Sequence, residues 1–326
     1  MPHLSDIQIR DPFVIKTAGE YYLFGSTDPD IWKSAGIGFD CYRAMDETLT
    51  QWDGPIPAFR PGPDFFSVKN FWAPEVYHYQ GDYYLFATFK PFTAVGGERA
   101  EQPRGTAILK STSGSVVGPY EPWSVGENSH FWTVTPPDWE TLDGTLFLDD
   151  SGAPWMVFCH EWQQIGDGTV EAMPLAADLR GAIGLPTTLF RASDAAWSAP
   201  LVNRAPGSYV TDGPFLYHDS RGYLKCLWSS FGPEGNYLIG EAVSVHDDGT
   251  KGGILGPWQQ APEPLFSADG GHGMLFTGPE ERRYLAVHSP NKTPNERALF
   301  AEVVEGPASD DDGPAGWLVT TGNVIR

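Results

Sequence analysis

The stretch Arg10-Asp11-Pro12-Phe13-Val14-Ile15, a turn at Gly19-Glu20, and then Tyr21-Tyr22-Leu23-Phe24-Gly25 decides how the chain folds. A short polar start, an alternating run, a glycine turn and an aromatic-rich run spell a β-hairpin. The pattern returns four times. Trp72-Ala73-Pro74-Glu75-Val76-Tyr77 turns at Gly81-Asp82 into Tyr83-Tyr84-Leu85-Phe86, and Leu142-Asp143-Gly144-Thr145-Leu146-Phe147 turns near Ser151-Gly152 into Trp155-Met156-Val157-Phe158. Thr211-Asp212-Gly213-Pro214-Phe215-Leu216 turns at Ser220-Arg221-Gly222 into Leu224-Lys225-Cys226-Leu227-Trp228. Gly271-His272-Gly273-Met274-Leu275-Phe276 turns around Gly278-Pro279 into Tyr284-Leu285-Ala286-Val287. The copies open at residues 11, 73, 143, 212 and 272, with spacings of 62, 70, 69 and 60. Each spacing leaves room for one or two further strands. The reading is therefore an all-β chain, a single five-bladed β-propeller over residues 1–326. A β-sandwich with chance hairpins is the alternative.

Composition agrees with many short elements: 37 Gly and 29 Pro make about a fifth of 326 residues. Hydrophobic residues at 41% are too many for a disordered chain. A formal charge of −21 repels polyphosphate and anionic bilayers, so neither nucleic acid nor membrane is expected as a partner. Cys41, Cys159 and Cys226 are an odd number, far apart and without a CxxC, which argues against disulfides and structural zinc. Cys159-His160-Glu161 is no metal motif, because neighbours on a strand point to opposite faces. No GxSxG, P-loop or GxGxxG occurs. The chain starts without a basic-then-apolar leader and contains no apolar run of about 18 residues. A cytoplasmic protein is the expectation, or a secreted or periplasmic one if a leader was removed. The sequon Asn291-Lys292-Thr293 reads as chance, and residues 305–316 as a solvated acidic loop before a last strand.

In a propeller the first strand of each blade lines the central channel. Its opening residue then sits at one mouth. The five openers on this reading are Asp11, Ala73, Asp143, Asp212 and His272. Taken singly, an Asp before Gly or Pro is a common turn residue. Taken together, three carboxylates and an imidazole at one mouth suit a site for proton chemistry or a cation.

These segments resemble glycoside hydrolase family 43, the five-bladed propellers that cleave arabinofuranosides and xylosides, and the resemblance covers nearly the whole chain. Arg10-Asp11-Pro12 is similar to the family's opening Asp-Pro motif, which implies Asp11 as general base. Phe71-Trp72-Ala73-Pro74-Glu75 resembles its Trp-Ala-Pro motif, bringing Trp72 and Glu75 into the substrate site. Leu142-Asp143-Gly144 falls where the family has Ile-Asp-Pro, implying that Asp143 orients the acid and tunes its pKa. Gly271-His272-Gly273 resembles the channel histidine motif, which implies a Ca²⁺ or Na⁺ on the axis near His272, with no cofactor required for the chemistry. The implied partner is an oligosaccharide or polysaccharide, and the implied activity is inverting, exo-acting release of terminal α-L-arabinofuranose. β-Xylosidase or galactan-directed action is the runner-up, and a sugar-binding propeller that has lost catalysis is the reading from another class.

One motif departs from the family. Its general acid is a glutamate in Glu-Gly-Pro at blade four, where this chain has Asp212-Gly213-Pro214. Aspartate is one methylene, about 1.5 Å, shorter. Either Asp212 serves as acid, or Glu161 does, from the end of the second strand of blade three. His160 beside it is taken as a substrate contact. Phe71, Trp72, Phe131, Trp132 and Trp162 are candidate stacking platforms, and Arg297, in Asn295-Glu296-Arg297, resembles a substrate-contacting arginine of the family.

Overall fold

Five antiparallel four-stranded sheets form the computed structural model, which describes residues 1–95, 98–126, 132–308 and 313–326. Blade one pairs Arg10–Thr17, Glu20–Ser26, Phe39–Ala44 and Trp52–Phe59 in chain order. Blade two uses Trp72–Tyr79, Asp82–Phe89, Gly105–Ser111 and Tyr120–Pro122, with a separate hairpin, Phe92–Val95 and Glu98–Glu101, inserted before its third strand. Blade three is Thr141–Leu148, Pro154–His160, Thr169–Pro174 and Thr187–Arg191. Blade four is Asp212–His218, Leu224–Phe231, Tyr237–Ser244 and Trp258–Gln260. Blade five is Gly271–Thr277, Arg283–Ser289, Arg297–Glu305 and Leu318–Ile325. First strands touch first strands around the ring, and Arg10–Thr17 meets both Trp72–Tyr79 and Gly271–Thr277, which closes it.

Every first strand is bulged at its start, with the register shifting between Arg10 and Phe13, Trp72 and Glu75, Leu142 and Thr145, Asp212 and Phe215, and Gly271 and Met274. Inside each bulge lies one left-handed residue: Asp11, Ala73, Asp143, Gly213 and His272, all with φ between 46° and 57°. A Pro or Gly follows each of them, and a proline there has no N–H to offer the ladder. This corrects the sequence register in blade four. Gly213, not Asp212, is equivalent to the other openers, and Asp212 occupies the place of Arg10, Trp72, Leu142 and Gly271.

The left-handed residues also stitch neighbouring blades. The N–H of Ala73 donates to Ser26 Oγ at 2.8 Å, that of Asp143 to Thr88 Oγ1 at 2.9 Å, and that of His272 to Ser229 Oγ at 2.9 Å. Between blades five and one, Asp11 N–H donates to His288 Nδ1 at 3.2 Å. Each acceptor lies on the second strand of the preceding blade, opposite the residue before its bulge. The equivalent place in blade three is Cys159, a poor acceptor, and there Gly213 N–H turns to Asp143 Oδ2 at 3.0 Å instead.

Apolar faces meet between blades. Phe39, Phe59, Phe65, Phe71 and Phe89 form one such cluster, with ring centroids 5.0–6.3 Å apart. All three cysteines are buried and unpaired. No helix among the described residues is long and apolar enough to cross a membrane. The segment expected to be a solvated acidic loop is held down at its end. Lys225, itself fully buried, donates to the carbonyls of Ala315 and Gly316 at 3.1 and 3.2 Å, and Ala315 is 8% exposed. Residues 309–312 of that loop lie outside the described residues.

Candidate active site

A cavity of about 660 Å³ opens where the first strands begin. Asp11, Asp143, Asp212 and His272 line its floor together with Arg10 and Tyr237. Its walls are Ile31 and Trp32 from the loop after blade one's second strand, Trp72 and Arg104 from blade two, and residues 161–163 and 201–204 around blade three. A single turn of helix, Trp162–Ile165, begins at Glu161 and ends at Gly166 (φ 82°), and it carries Trp162 and Gln163 to the cavity.

The carboxylates do not share one environment. Asp11 accepts from Ser26 Oγ at 2.7 Å, and its Oδ1 lies 3.5 Å from His272 Nδ1. Burial pushes Asp11 upward, but the positive charges of His272 and Arg10 outweigh it and hold the group below its ordinary value. Asp143 is raised to about 7: burial and the charges of Asp212 and Asp11 prevail over the pull of His272, 3.6 Å away, and the Gly213 N–H. Asp212 is also raised, by burial and by Asp11, although Tyr237 donates its hydroxyl to Oδ2 at 2.8 Å. Among these carboxylates His272 titrates near 10, because Asp143, Asp11 and Glu75 overcome the cost of burying an imidazolium. His288 goes the other way, to about 3, through burial and the nearby Arg10 charge. It stays neutral. Its Nδ1 receives the Asp11 N–H, so its proton sits on Nε2, which faces Asn291 Oδ1 at 3.4 Å.

The structure brings Asp11, Asp143, Asp212, His272, Trp72, Trp162 and Glu161 to one cavity and leaves other expected residues elsewhere. Glu75 is buried beneath it, with Oε1 3.8 Å from His272 Nε2 and Oε2 taking the Tyr77 hydroxyl. Glu161 is in the wall but committed: Arg104 binds Oε2 and Gln163 Nε2 donates to Oε1 at 2.5 Å. His160 ends its strand pointing away from the cavity, stacked on Trp139 at 4.2 Å and bonded to Gln164 at 2.7 Å. Trp132 packs on Phe66 (5.1 Å) instead of lining the cavity, and Phe71 belongs to the aromatic core. Phe131 lies outside the described residues. Arg297 grips the carbonyls of Ser5, Pro294 and Glu296, and so ties the N-terminal segment to blade five.

Sequence reasoning missed Arg10, Arg104, Tyr237 and Asn291. Arg10 Nη1 donates to Glu296 at 2.8 Å and to Asn291 at 2.7 Å, and its guanidinium lies 5.4 Å from the Trp32 ring. Arg104 stands 5.1 Å from the Trp72 ring and pairs with Glu140 as well as Glu161. Asn291 is the first residue of the sequon that read as chance. Arg10 alone carried a signal, since it immediately precedes the first opener.

Both ring nitrogens of His272 already face carboxylates, and among the described residues no three His, Cys, Asp or Glu side chains converge to hold a metal. The described residues around His272 do not make a protein cage for calcium.

Buried carboxylates pushed in opposite directions thus face a cavity walled by tryptophans on a five-bladed scaffold. The chain belongs to glycosyl hydrolases family 43, whose profile matches residues 5–307. It is 36% identical to an endo-arabinase from Bacteroides thetaiotaomicron, with a TM-score of 0.78 over 96% of this chain and 99% of that one. The fold is shared with an α-L-arabinofuranosidase from Lactobacillus brevis at 20% identity, TM-score 0.69, covering 95% and 93% of the two chains. An extracellular exo-α-(1→5)-L-arabinofuranosidase from Cellvibrio japonicus is 23% identical over 167 residues, 48% of this chain and 42% of that protein. The match thus spans less than half the length of this curated relative.

Proposed function

We propose that the enzyme releases terminal α-L-arabinofuranosyl residues from arabinan-type chains with inversion of configuration. Asp11 is the general base, Asp212 the general acid, and Asp143 the neighbouring carboxyl that orients the acid and modulates its pKa. The observation that carries the reading is the convergence of Asp11, Asp143 and Asp212 on one cavity, where Asp11 is held low while Asp143 and Asp212 are held high. An inverting hydrolase needs one carboxylate free to take a proton from water and another able to give one to the leaving oxygen. Asp11 Oδ2 is oriented by Ser26, and the imidazolium of His272 stabilises its charge. Asp143 faces the same imidazolium from blade three, and its carboxyl and that of Asp212 oppose each other's ionisation, so the two titrate as a pair. Trp72 and Trp162 offer apolar faces to a sugar ring, and Arg204 stands 5.7 Å from Trp162 at the rim.

Arabinan is supported by two relatives whose names agree on it, one over the full length. A second reading, endo action on the same polymer, is favoured by the 36% identical endo-arabinase. Nitrophenyl arabinofuranoside, xyloside, galactofuranoside and galactoside separate the sugars. Linear arabinan separates the modes: free arabinose from the first minutes supports exo action, and a ladder of oligosaccharides supports endo action. Greatest turnover on the xyloside or galactoside would overturn the arabinose assignment. Proton NMR of the first-formed anomer tests inversion.

A further inference from the structure

The geometry points to Tyr237 as a further catalytic residue, whose hydroxyl passes the proton of Asp212 to the leaving oxygen. This rests on the reading of Asp212 as the acid. Tyr237 opens the third strand of blade four, lines the cavity and has its hydroxyl 2.8 Å from Asp212 Oδ2. Its ring is 3% exposed and held from two sides, 5.1 Å from Phe231 and 5.8 Å from His288 in a near-parallel stack. Gly271 leaves it no slack either, since a Cβ there would fall 1.9 Å from Tyr237 Cε1. A phenol held this firmly against one carboxylate oxygen has a fixed direction in which to act.

The length of Asp212 gives the phenol a task. Aspartate in this place reaches one methylene less far than the glutamate in the family's motif, and the hydroxyl extends the proton path beyond the carboxyl. With Asp212 ionised, the phenol donates to it. With Asp212 protonated, the hydrogen bond reverses, and the phenolic proton is free to point into the cavity. The step is then concerted. The glycosidic C–O bond breaks, the leaving oxygen takes the Tyr237 proton, and the phenolic oxygen takes the Asp212 proton, while water adds to the sugar and gives its proton to Asp11. The enzyme ends with Asp212 ionised, Asp11 protonated and Tyr237 unchanged, and exchange with solvent restores the start. Burial, Asp212 and Asp143 push the phenol well above its usual value, so it does not persist as phenolate and must be refilled as it gives.

The test compares a dinitrophenyl glycoside, whose leaving group needs little protonation, with an unactivated disaccharide of the same sugar. Y237F should lower kcat on the disaccharide by about 10²-fold and spare the dinitrophenyl substrate, matching D212N, because both interrupt one path. D212E should restore Y237F by about tenfold or more on the disaccharide, since the longer acid no longer needs the relay. A residue that merely props the pocket would not be rescued by lengthening its neighbour. If D212N shows the leaving-group dependence while Y237F slows both substrates equally, or neither, the relay is wrong and Asp212 stands. If D212N shows no such dependence, Asp212 is not the acid and the relay falls with it. Failure of D212E to rescue a Y237F protein with wild-type thermal stability also overturns the relay.

Discussion

Gly213 donates its backbone N–H to Asp143 Oδ2 at 3.0 Å, in the one of these five inter-blade stitches whose acceptor is a carboxylate of the cavity. The other four stitches end on Ser26, Thr88, Ser229 and His288. Blade three has Cys159 at that place, so the left-handed residue of blade four bonds to the left-handed residue of blade three. Asp212 is covalently next to this bond. The Asp143 carboxylate is therefore tied to the backbone immediately beside Asp212.

Gly213→Ala should break this arrangement. Gly213 has φ 53°, where an L-residue costs about 1–2 kcal/mol. An added Cβ would also fall 2.8 Å from His272 Cγ. We expect a loss of about 2–4 kcal/mol in chemical denaturation and a reduced kcat on unactivated substrates. Wild-type stability and rate would show that the turn tolerates a methyl group.

Asp11→Asn keeps the shape of the side chain but removes the proton acceptor. Turnover should fall by at least about 10²-fold on every substrate, activated or not, because water activation does not depend on the leaving group. Thermal melting of the variant checks that the fold survives. More than a tenth of wild-type activity would remove Asp11 from the base role.

Asp143→Asn tests the electrostatic part of the reading. On the proposed mechanism Asp212 works only when protonated, and it and Asp143 oppose each other's ionisation. Taking the Asp143 charge away lowers the Asp212 pKa, so the protonated form is lost at lower pH. The alkaline limb of the kcat/KM profile should shift down by about one unit, with a lower maximum. Since Asp143 and Asp212 interact, the limb belongs to the pair. An unchanged limb would reduce Asp143 to a structural partner of Gly213.

His272→Gln addresses the imidazolium among Asp11, Asp143 and Glu75. Its folded value near 10 lies above the ordinary 6.5. The stability it contributes is thus fully present below about pH 6.5 and fades as pH rises toward 10. Wild type should exceed the variant in Tm most clearly near pH 6, with a deficit of about 3–5 kcal/mol for the unpaired carboxylates, and the gap should close toward pH 10. A gap independent of pH would mean His272 acts through packing.

Much of this was legible in sequence because the blades repeat their turn chemistry. Pro12, Pro74, Gly144, Pro214 and Gly273 each follow the left-handed residue, and aligning the copies on them places Gly213 correctly. The one-residue slip arose from matching by charge, which favoured Asp212 over its neighbour. Arg104 and Tyr237 were not legible for another reason. They reach the cavity from third strands, Arg104 from just before one and Tyr237 from the start of another, and the hairpin repeat carries no signal there. Trp132, His160 and Arg297 look like binding residues in sequence because aromatic and polar side chains serve packing equally well, and only their partners, Phe66, Trp139 and the Ser5 carbonyl, decide.

Glu161 is the remaining rival for the acid, and its surroundings give an outcome distinct from that of Asp212. Arg104 holds one of its oxygens and Gln163 the other, while Arg104 itself stands against Trp72. The group serves the wall: it fixes a guanidinium beside an aromatic face that a sugar would cover. Glu161→Gln weakens that ion pair and lets Arg104 swing toward Glu140, which it already contacts at 3.1 Å. The expected result is a KM raised roughly tenfold, with kcat changed by the same small factor on dinitrophenyl and disaccharide substrates, the pattern of lost uniform binding. Asp212→Asn should instead spare the dinitrophenyl substrate and depress the disaccharide by about 10²-fold. If Glu161→Gln shows the leaving-group dependence and Asp212→Asn does not, the two carboxylates exchange roles, and the proton comes from the wall of blade three instead of the floor of blade four.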